Sequence, residues 1–162
     1  MSALAKAKAL ALLLPLALVG GAYGFQYVWA ALSPCEMCWW QRWAHFAALP
    51  FALGAILFGG RFKDQGRLLV WLAALAIFVS GAIGIWHAGI ELKIFPGVTS
   101  CTATLSGSAE DMLKATFDRP MVRCDDIQWS WLGISMAGWN AIVSILGALA
   151  ILWLSLRNRQ TT

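Results

Sequence analysis

The chain has 162 residues and a formal net charge of +4, with 60% hydrophobic and only 12% charged residues. Soluble domains contain about 45–50% apolar and about 25% charged residues, so this composition excludes an ordinary soluble domain and indicates a membrane protein. The basic excess follows from where the lysines and arginines lie relative to the apolar segments, and no nucleic-acid partner is expected.

Four apolar segments are long enough to cross about 30 Å of hydrocarbon as helices. They lie near residues 9–32, 39–60, 68–90 and 130–155. The first is longer than the roughly 7–15 apolar residues of a signal peptide, so we interpret it as a retained helix. The sequence therefore predicts an all-α membrane protein, a four-transmembrane-helix bundle that forms a single domain over residues 1–162.

Small residues one helical turn apart indicate where these helices approach each other closely. Two pairs with a glycine are Gly20 with Gly24 and Ser80 with Gly84. Each is expected to allow close backbone contact between helices.

Basic residues gather on one side of the four segments. Seven lie there beside a single acid, Asp64: Lys6, Lys8, Arg61, Lys63, Arg67, Arg157 and Arg159. The positive-inside rule then predicts that both termini are cytoplasmic, with a cytoplasmic loop at 61–67 and outer loops at 33–38 and 91–129. A polar cap at Ser108 followed by acidic residues predicts a short helix in the long outer loop, lying on the membrane surface.

All four cysteines fall on the predicted outer side. Cys35 and Cys38 form a C-x-x-C motif, and Cys101 and Cys124 lie in the long outer loop. A C-x-x-C disulfide closes a very small ring and stabilises a fold little, so the motif suits a redox couple better than a structural link. Cys38 should open the second helix, where the helix dipole and Arg42, one turn later on the same face, favour its thiolate.

The loop pair has two interpretations. Cys101 and Cys124 enclose 22 residues, and a structural disulfide is common in an exported loop. A second dithiol on the same membrane face favours disulfide exchange, which would carry electrons from an external thiol to the loop pair and then to the C-x-x-C. A zinc tetrathiolate usually has two C-x-x-C motifs, so no metal is expected.

Four further polar residues lie within or beside the apolar segments. His87 is near the outer end of the third segment and His45 is one turn after Arg42, and each fits either a local hydrogen bond or a chemical role. Gln26 and Asn140 are expected to form hydrogen bonds between helices.

Taken in order along the chain, these features resemble one known family. They are the C-x-x-C motif within CEMCWWQR at 35–42, then His87, the loop cysteines, and the segment WLGISMAGWN at 131–140. This set is similar to the DsbB family of bacterial disulfide bond formation proteins, and the resemblance covers nearly the whole chain. It implies a protein-dithiol:quinone oxidoreductase of the bacterial inner membrane, with its active face in the periplasm.

The resemblance also implies roles for the cysteines. Cys101 would be attacked by a reduced DsbA-like periplasmic thiol oxidase, and Cys124 would exchange with Cys35. Cys38 would then face a membrane quinone, either ubiquinone or menaquinone, which accepts two electrons and two protons.

Two further residues acquire roles from the resemblance. Arg42 would hold the quinone and stabilise the Cys38 thiolate, and His87 would line the quinone site. Gln41 stands where some family members have an acidic residue, so the choice of partner could differ here.

Two alternatives compete with this interpretation. A quinone reductase similar to vitamin K epoxide reductase also combines four cysteines with a helical bundle, but its loop pair precedes the C-x-x-C in sequence, whereas here the C-x-x-C comes first. A membrane subunit with two structural disulfides would leave the register between Cys38 and Arg42 unexplained.

Overall fold

The computed structural model describes residues 2–29, 33–97 and 122–157. Its long helices are α1 (Ala3–Gly24, continued by a π-helical turn at Phe25–Trp29), α2 (Glu36–Leu57), α3 (Arg67–Glu91) and α4 (Met136–Arg157). A 3-10 turn at Gly59–Arg61 follows α2, and the strands β1 (Ser130–Trp131) and β2 (Ile134–Ser135) precede α4. Cys101 and the surface helix predicted from Ser108 lie outside the described residues.

The four helices form one bundle in which neighbours in sequence are neighbours in space. α3 packs against α2 and α4, and α1 packs against the other sides of the same two helices. The core between them is built mainly from alanine: Ala7, Ala11, Ala48, Ala52, Ala55, Ala73, Ala74 and Ala148. Small side chains let the backbones approach closely, which is how helices associate when no water is available to drive burial.

Within the described residues, three helices are long and apolar enough to cross a membrane: Ala3–Trp29, Arg67–Glu91 and Met136–Arg157. Large apolar side chains on their outer surfaces are more than half exposed, among them Leu13, Leu75 and Leu146. A helix packed on a soluble core has a polar outer face instead, so this is a helical membrane protein. α2 matches the others in length, but polar side chains in its first half, such as Gln41 and Arg42, lower its hydropathy.

The first helix starts earlier than the apolar pattern suggested. It begins at Ala3 instead of near residue 9, because the Ser2 side chain accepts a hydrogen bond from the Ala5 N–H at 3.2 Å. An alanine-rich stretch follows this cap, and alanine has the highest helix propensity. Lys6 and Lys8 consequently lie within the first turns of α1 instead of preceding it.

The fourth helix starts later than expected. The predicted segment near 130–155 becomes a helix only at Met136, because the residues before it form the β1–β2 hairpin. Leu132 and Gly133, at the tip of that hairpin, have φ angles of 53° and 77°, which an α-helix cannot contain. The apolar character of this stretch concealed the turn.

Close helix approach occurs at one of the two predicted small-residue pairs. A Cβ atom at Gly84 would lie 3.0 Å from the Ala137 carbonyl oxygen, so α3 and α4 touch there, as predicted. Cβ atoms at Gly20 and Gly24 would meet nothing within 4 Å. The prediction for that pair is wrong, because the face of α1 that carries Gly20 and Gly24 points away from the neighbouring helices.

Candidate active site

The C-x-x-C motif forms the first turn of α2. Cys35 is the N-cap residue, with extended backbone angles, and its sulfur accepts a hydrogen bond from the Cys38 N–H at 3.3 Å. The three-residue spacing equals the distance from an N-cap to the third helical position, so both sulfurs gather at the helix N-terminus, 2.7 Å apart. Cys38 lies in the first turn of α2, as predicted, but α2 spans Glu36–Leu57 and so starts and ends three residues before the expected 39–60, because Cys35 caps the helix.

Cys124 joins this pair from the outer loop. It is fully buried and belongs to the same cluster as Cys35, Met37 and Ile90. Its side chain is within hydrogen-bonding range of Cys35, and this contact, with those to Cys38 and with burial, raises the pKa of the Cys35 thiol. Three of the four predicted redox cysteines therefore meet at one place.

An ionic cluster attaches the segment that carries Cys124 to the end of α3. The Asp125 carboxylate lies 2.7 Å from the Lys93 ammonium and 2.8 Å from the Arg123 guanidinium. Hydrogen bonds from Arg123 and then Lys93 hold the pKa of Asp125 far below its usual range. Because Asp125 directly follows Cys124, this cluster also restrains the position of Cys124.

Arg42 is buried against α1, with 7% of its surface exposed. Its guanidinium donates hydrogen bonds to the Gln26 side-chain oxygen at 2.6 Å and to the Ala22 carbonyl at 3.5 Å. The rings of Tyr23 and Trp39 lie 4.7 and 5.2 Å from its central carbon. Among the described residues no carboxylate lies within 4 Å, so the positive charge is oriented but not neutralised.

His87 lies on the Cys35 side of the site. Its Nε2 is 3.6 Å from the Cys35 sulfur, and its Nδ1 is 2.9 Å from the side-chain nitrogen of Gln41. His87 and Arg42 both line the same cavity as the C-x-x-C cysteines. Both predicted site residues belong to one arrangement, with His87 beside the first cysteine.

Sequence reasoning missed Glu91 as a member of the site. Its side chain is 7% exposed, accepts a hydrogen bond from the Ser135 hydroxyl and lies 3.8 Å from His87 Nε2. In the sequence it counted only as an outer-side charge. Its spacing of four residues from His87, which places both on one helix face, is the signal that would have found it.

A second polar group lies deeper, between α2, α3 and α4. Asn140 donates hydrogen bonds to the Gln41 side-chain oxygen at 2.8 Å and to the Ser80 carbonyl at 3.2 Å, and its own oxygen lies 3.0 Å from His45 Nε2. Together with the bond between Gln26 and Arg42, these contacts confirm that Gln26 and Asn140 connect helices. Within the described part of the chain, Nδ1 of His45 has no hydrogen-bond partner.

A cavity of about 300 Å³ opens beside the C-x-x-C, and residues of both polar groups line it, among them Gln41 and His87. Cys38, Arg42 and Asn140 form its polar wall. Its apolar wall comes mostly from α1 and α4: Ala17, Leu18, Gly21, Ala22, Phe25, Ala137 and Val143. A cavity of this volume, mainly apolar with a few polar groups, suits a small apolar ligand that carries hydrogen-bonding atoms.

Soft metal ions could use part of the same cluster. Among the described residues, ligand atoms of Cys35, Cys38 and His87 lie within 4.8 Å of one another. Two thiolates and an imidazole are suitable ligands for Zn²⁺.

Comparison with known proteins gives a consistent result. The family model described as "Disulfide bond formation protein DsbB" matches residues 5–154. A "Disulfide bond formation protein B" of Xanthomonas campestris pv. campestris is 31% identical over 133 residues, covering 79% of this chain and 77% of the relative. Proteins of that name from Xanthomonas oryzae pv. oryzae and Idiomarina loihiensis are 30% identical over 115 residues (68% and 67% covered) and 29% over 134 residues (78% and 70%). No solved structure matches the chain.

Proposed function

The chain belongs to the DsbB family, and from that premise we propose that it oxidises a periplasmic DsbA-type thiol oxidase and passes the electrons to a membrane quinone. Family membership gives the coarser role, that of a redox enzyme of disulfide bond formation. It also favours this interpretation over a vitamin-K-epoxide-reductase-like enzyme or a structural subunit. The single observation that carries the finer proposal is the meeting of three cysteines beside a cavity lined by Arg42, which has no carboxylate within 4 Å in the described part of the chain.

The thiol steps are disulfide exchanges. A thiolate of the reduced partner attacks Cys101 of a Cys101–Cys124 disulfide, and the electron pair of the broken bond goes to the Cys124 sulfur. Cys124 then attacks Cys35 of a Cys35–Cys38 disulfide and releases the Cys38 thiolate. The second thiolate of the partner attacks the partner's own sulfur in its mixed disulfide with Cys101, which releases the oxidised partner and a Cys101 thiolate. That thiolate attacks Cys124 and releases the Cys35 thiolate. The contact between Cys124 and Cys35 supports this order, because exchange needs direct approach of the two sulfurs.

The quinone accepts two electrons and two protons and so balances the oxidation of one dithiol to one disulfide. Cys38 lines the cavity at the helix N-terminus, where the dipole stabilises a thiolate. Arg42 lies one turn further and, with its charge unneutralised, would orient the quinone oxygen and balance negative charge on the sulfur. Whether ubiquinone or menaquinone is used follows from the tail and ring substituents that the apolar wall accepts.

The proposed location is the bacterial inner membrane, with both termini in the cytoplasm and the cysteines in the periplasm. α2 would then be a fourth span, since a bundle of three crossing helices would put the termini on opposite sides. Burial of its polar side chains against α1, α3 and α4 lowers the free-energy cost of placing α2 in the membrane.

The proposal is tested with purified protein in detergent, a reduced DsbA-type protein, and ubiquinone or menaquinone. Quinone absorbance should fall in the wild type, fall more slowly in Arg42→Ala, and stay constant in Cys38→Ser. Cys101→Ser should block receipt of electrons from the partner. Arg61→Ala, an exposed arginine at the opposite end of the bundle, is the matched control and should behave as the wild type does. No reduction of either quinone by intact wild-type protein would overturn the proposal.

A further inference from the structure

One side chain from each of three helices takes part in a chain of hydrogen bonds that ends at the Cys35 sulfur. Asn140 of α4 contacts Gln41 of α2, Gln41 contacts His87 of α3, and His87 contacts Cys35. All three side chains are largely buried, with Gln41 at 7% and His87 at 4% exposure. Their hydrogen-bond directions are therefore set by each other and not by water.

Two backbone carbonyls, which can only accept, determine how both amides are oriented. The Gln41 side-chain nitrogen lies 3.2 Å from the Met37 carbonyl, and the Asn140 side-chain nitrogen lies 3.2 Å from the Ser80 carbonyl. Rotating either amide by 180° would place oxygen against oxygen. With this orientation, Asn140 donates to the Gln41 oxygen, and Gln41 donates its second N–H to His87.

His87 Nδ1 is consequently an acceptor, so a neutral His87 carries its proton on Nε2. The groups around Nε2 fit a donor. The Cys35 sulfur lies 3.6 Å away and the Glu91 carboxylate 3.8 Å away. The N–H bond thus faces the place where Cys35 and Cys124 exchange.

We propose that Gln41, held by Asn140, is a positioning residue that fixes His87 as the Nε2–H tautomer so that it donates a hydrogen bond to the Cys35 sulfur. The inference rests on the thiol exchange of the proposed function. When a Cys101 thiolate attacks Cys124 in a Cys35–Cys124 disulfide, the bond breaks and its electron pair goes to Cys35. A donor already aimed at that sulfur stabilises the leaving thiolate, with no net oxidation or reduction.

The tautomer can be measured directly, because the chain has only two histidines. We would record ¹⁵N spectra of the histidine side chains in the full-length protein in detergent, and assign His87 from the signals that vanish in His87→Gln. The expected spectrum shows a protonated Nε2 and an unprotonated Nδ1. A wild-type His87 protonated on Nδ1 would overturn the proposal.

Variants of Gln41 then test whether this residue determines the tautomer of His87. Gln41→Met removes the donor and should give a mixture of tautomers, whereas Gln41→Glu presents an acceptor and should move a proton to Nδ1. Ser155→Ala is the matched control, since it removes a buried hydrogen bond between α3 and α4, from Trp71 at 2.9 Å, at the far end of the bundle. An unchanged His87 spectrum in both Gln41 variants would contradict the assignment.

The effect on sulfur chemistry is measured as the pH dependence of alkylation in a variant that retains Cys35 as its single cysteine. Adding Gln41→Met should move the midpoint upward by about one unit, the worth of a hydrogen bond to a charged group. The other charged groups facing this region are the same in both variants: Arg42, Glu91, Arg123 and Asp126. An unchanged midpoint would show that the donor does not act on Cys35.

These measurements need no quinone and no partner protein. A chain that fails to reduce quinone but shows the expected tautomer and alkylation shift would refute the proposed function and leave the positioning role of Gln41 intact. Normal quinone turnover combined with a His87 protonated on Nδ1 would refute the positioning role of Gln41 and leave the proposed function intact.

Discussion

Arg42 combines a full charge with deep burial, and its geometry explains how the chain tolerates this. The oxygen atoms of Gln26 and Ala22 accept from the guanidinium on the α1 side, while two aromatic rings lie against it. None of these groups carries a negative charge. The residue is therefore solvated by dipoles and keeps its attraction for an electron-rich ligand in the cavity.

Gln26→Leu should weaken quinone binding without removing the arginine. Losing one hydrogen bond to a charged group costs about 1.5 kcal/mol, so KM for quinone should rise about tenfold while kcat changes little. Steady-state quinone reduction measures both constants. Tyr27→Phe, a change at the exposed neighbour, is the control. An unaltered KM in Gln26→Leu would mean that Arg42 is positioned without Gln26.

Asp125 makes attachment of the loop sensitive to acid. Its pKa is lower in the folded protein than in the unfolded chain, because Arg123 and Lys93 donate hydrogen bonds to it. The stabilisation is complete above the unfolded value of about 4 and is lost as the pH falls toward the folded value. Thermal unfolding in detergent between about pH 5 and pH 2 should therefore show a steeper loss of stability in the wild type than in Asp125→Asn.

The neighbouring acid offers a control for that experiment. Asp126 is 68% exposed on its side chain and lies 3.8 Å from Arg123, so Asp126→Asn should leave the acid dependence almost unchanged. Equal slopes for wild type and Asp125→Asn would show that the ionic cluster does not hold the loop.

Residue-scale features were predictable from sequence where spacing along one helix decides them. The proximity of Cys35, Cys38 and Arg42 follows from helical geometry alone, and the structure contains it. The partners Gln41 with His87 and Asn140 with Gln41 are 46 and 99 residues apart. No local pattern encodes such pairs, because they depend on how three helices rotate against each other.

At the scale of elements, Cys35 serves both the chemistry and the start of α2. Cys35→Ser should abolish disulfide exchange but keep the fold, because a serine hydroxyl caps a helix at least as well as a thiol does. Cys35→Ala should lose both functions and unfold about 1 kcal/mol more easily than Cys35→Ser. Chemical unfolding followed by helical circular dichroism compares the two. Equal stabilities would show that the cap contributes nothing.

Contact between α3 and α4 depends on glycine. Gly84→Ala places a methyl group 3.0–3.2 Å from backbone atoms of Ala137 and Ala141, which should cost about 1–3 kcal/mol of stability. The same shift of α4 would move Asn140 and slow turnover. Gly20→Ala, where a Cβ meets nothing within 4 Å, should be neutral or slightly stabilising. Thermal unfolding and quinone reduction are measured on both variants. Equal stability and equal turnover in Gly84→Ala and Gly20→Ala would contradict the close contact.

Elements were predictable where a long apolar run is uninterrupted. α3 spans Arg67–Glu91, within one residue of the expected 68–90 at either end. The ends of other helices were set by features that hydropathy does not record, namely the Ser2 cap of α1 and the left-handed residues before α4. Composition determines that a helix forms, and local hydrogen bonds and backbone angles determine where it starts.

At the scale of the whole molecule, the distribution of charge predicts its orientation. A fluorescent reporter fused after residue 157 should be active in the cytoplasm, while a phosphatase fused there should stay inactive, because the positive-inside rule predicts a cytoplasmic location for both ends. Replacing Arg61, Lys63 and Arg67 together should weaken this bias and give mixed orientation. A wild-type fusion with phosphatase activity would show that the termini lie outside or that α2 does not cross.

The bond between Gln26 and Arg42 has a consequence for biogenesis. Inserting a helix that carries an arginine into the hydrocarbon region costs free energy when the helix is presented alone. Among the described residues, the groups that solvate this arginine belong to α1, with its π-helical turn, or to α2 itself. The two helices should therefore leave the translocon as one hairpin. A reporter of insertion should register α2 in the bilayer when α1 precedes it and outside when α1 is replaced by polyleucine. The pairing that orients the site chemistry would then also be what allows its helix into the membrane.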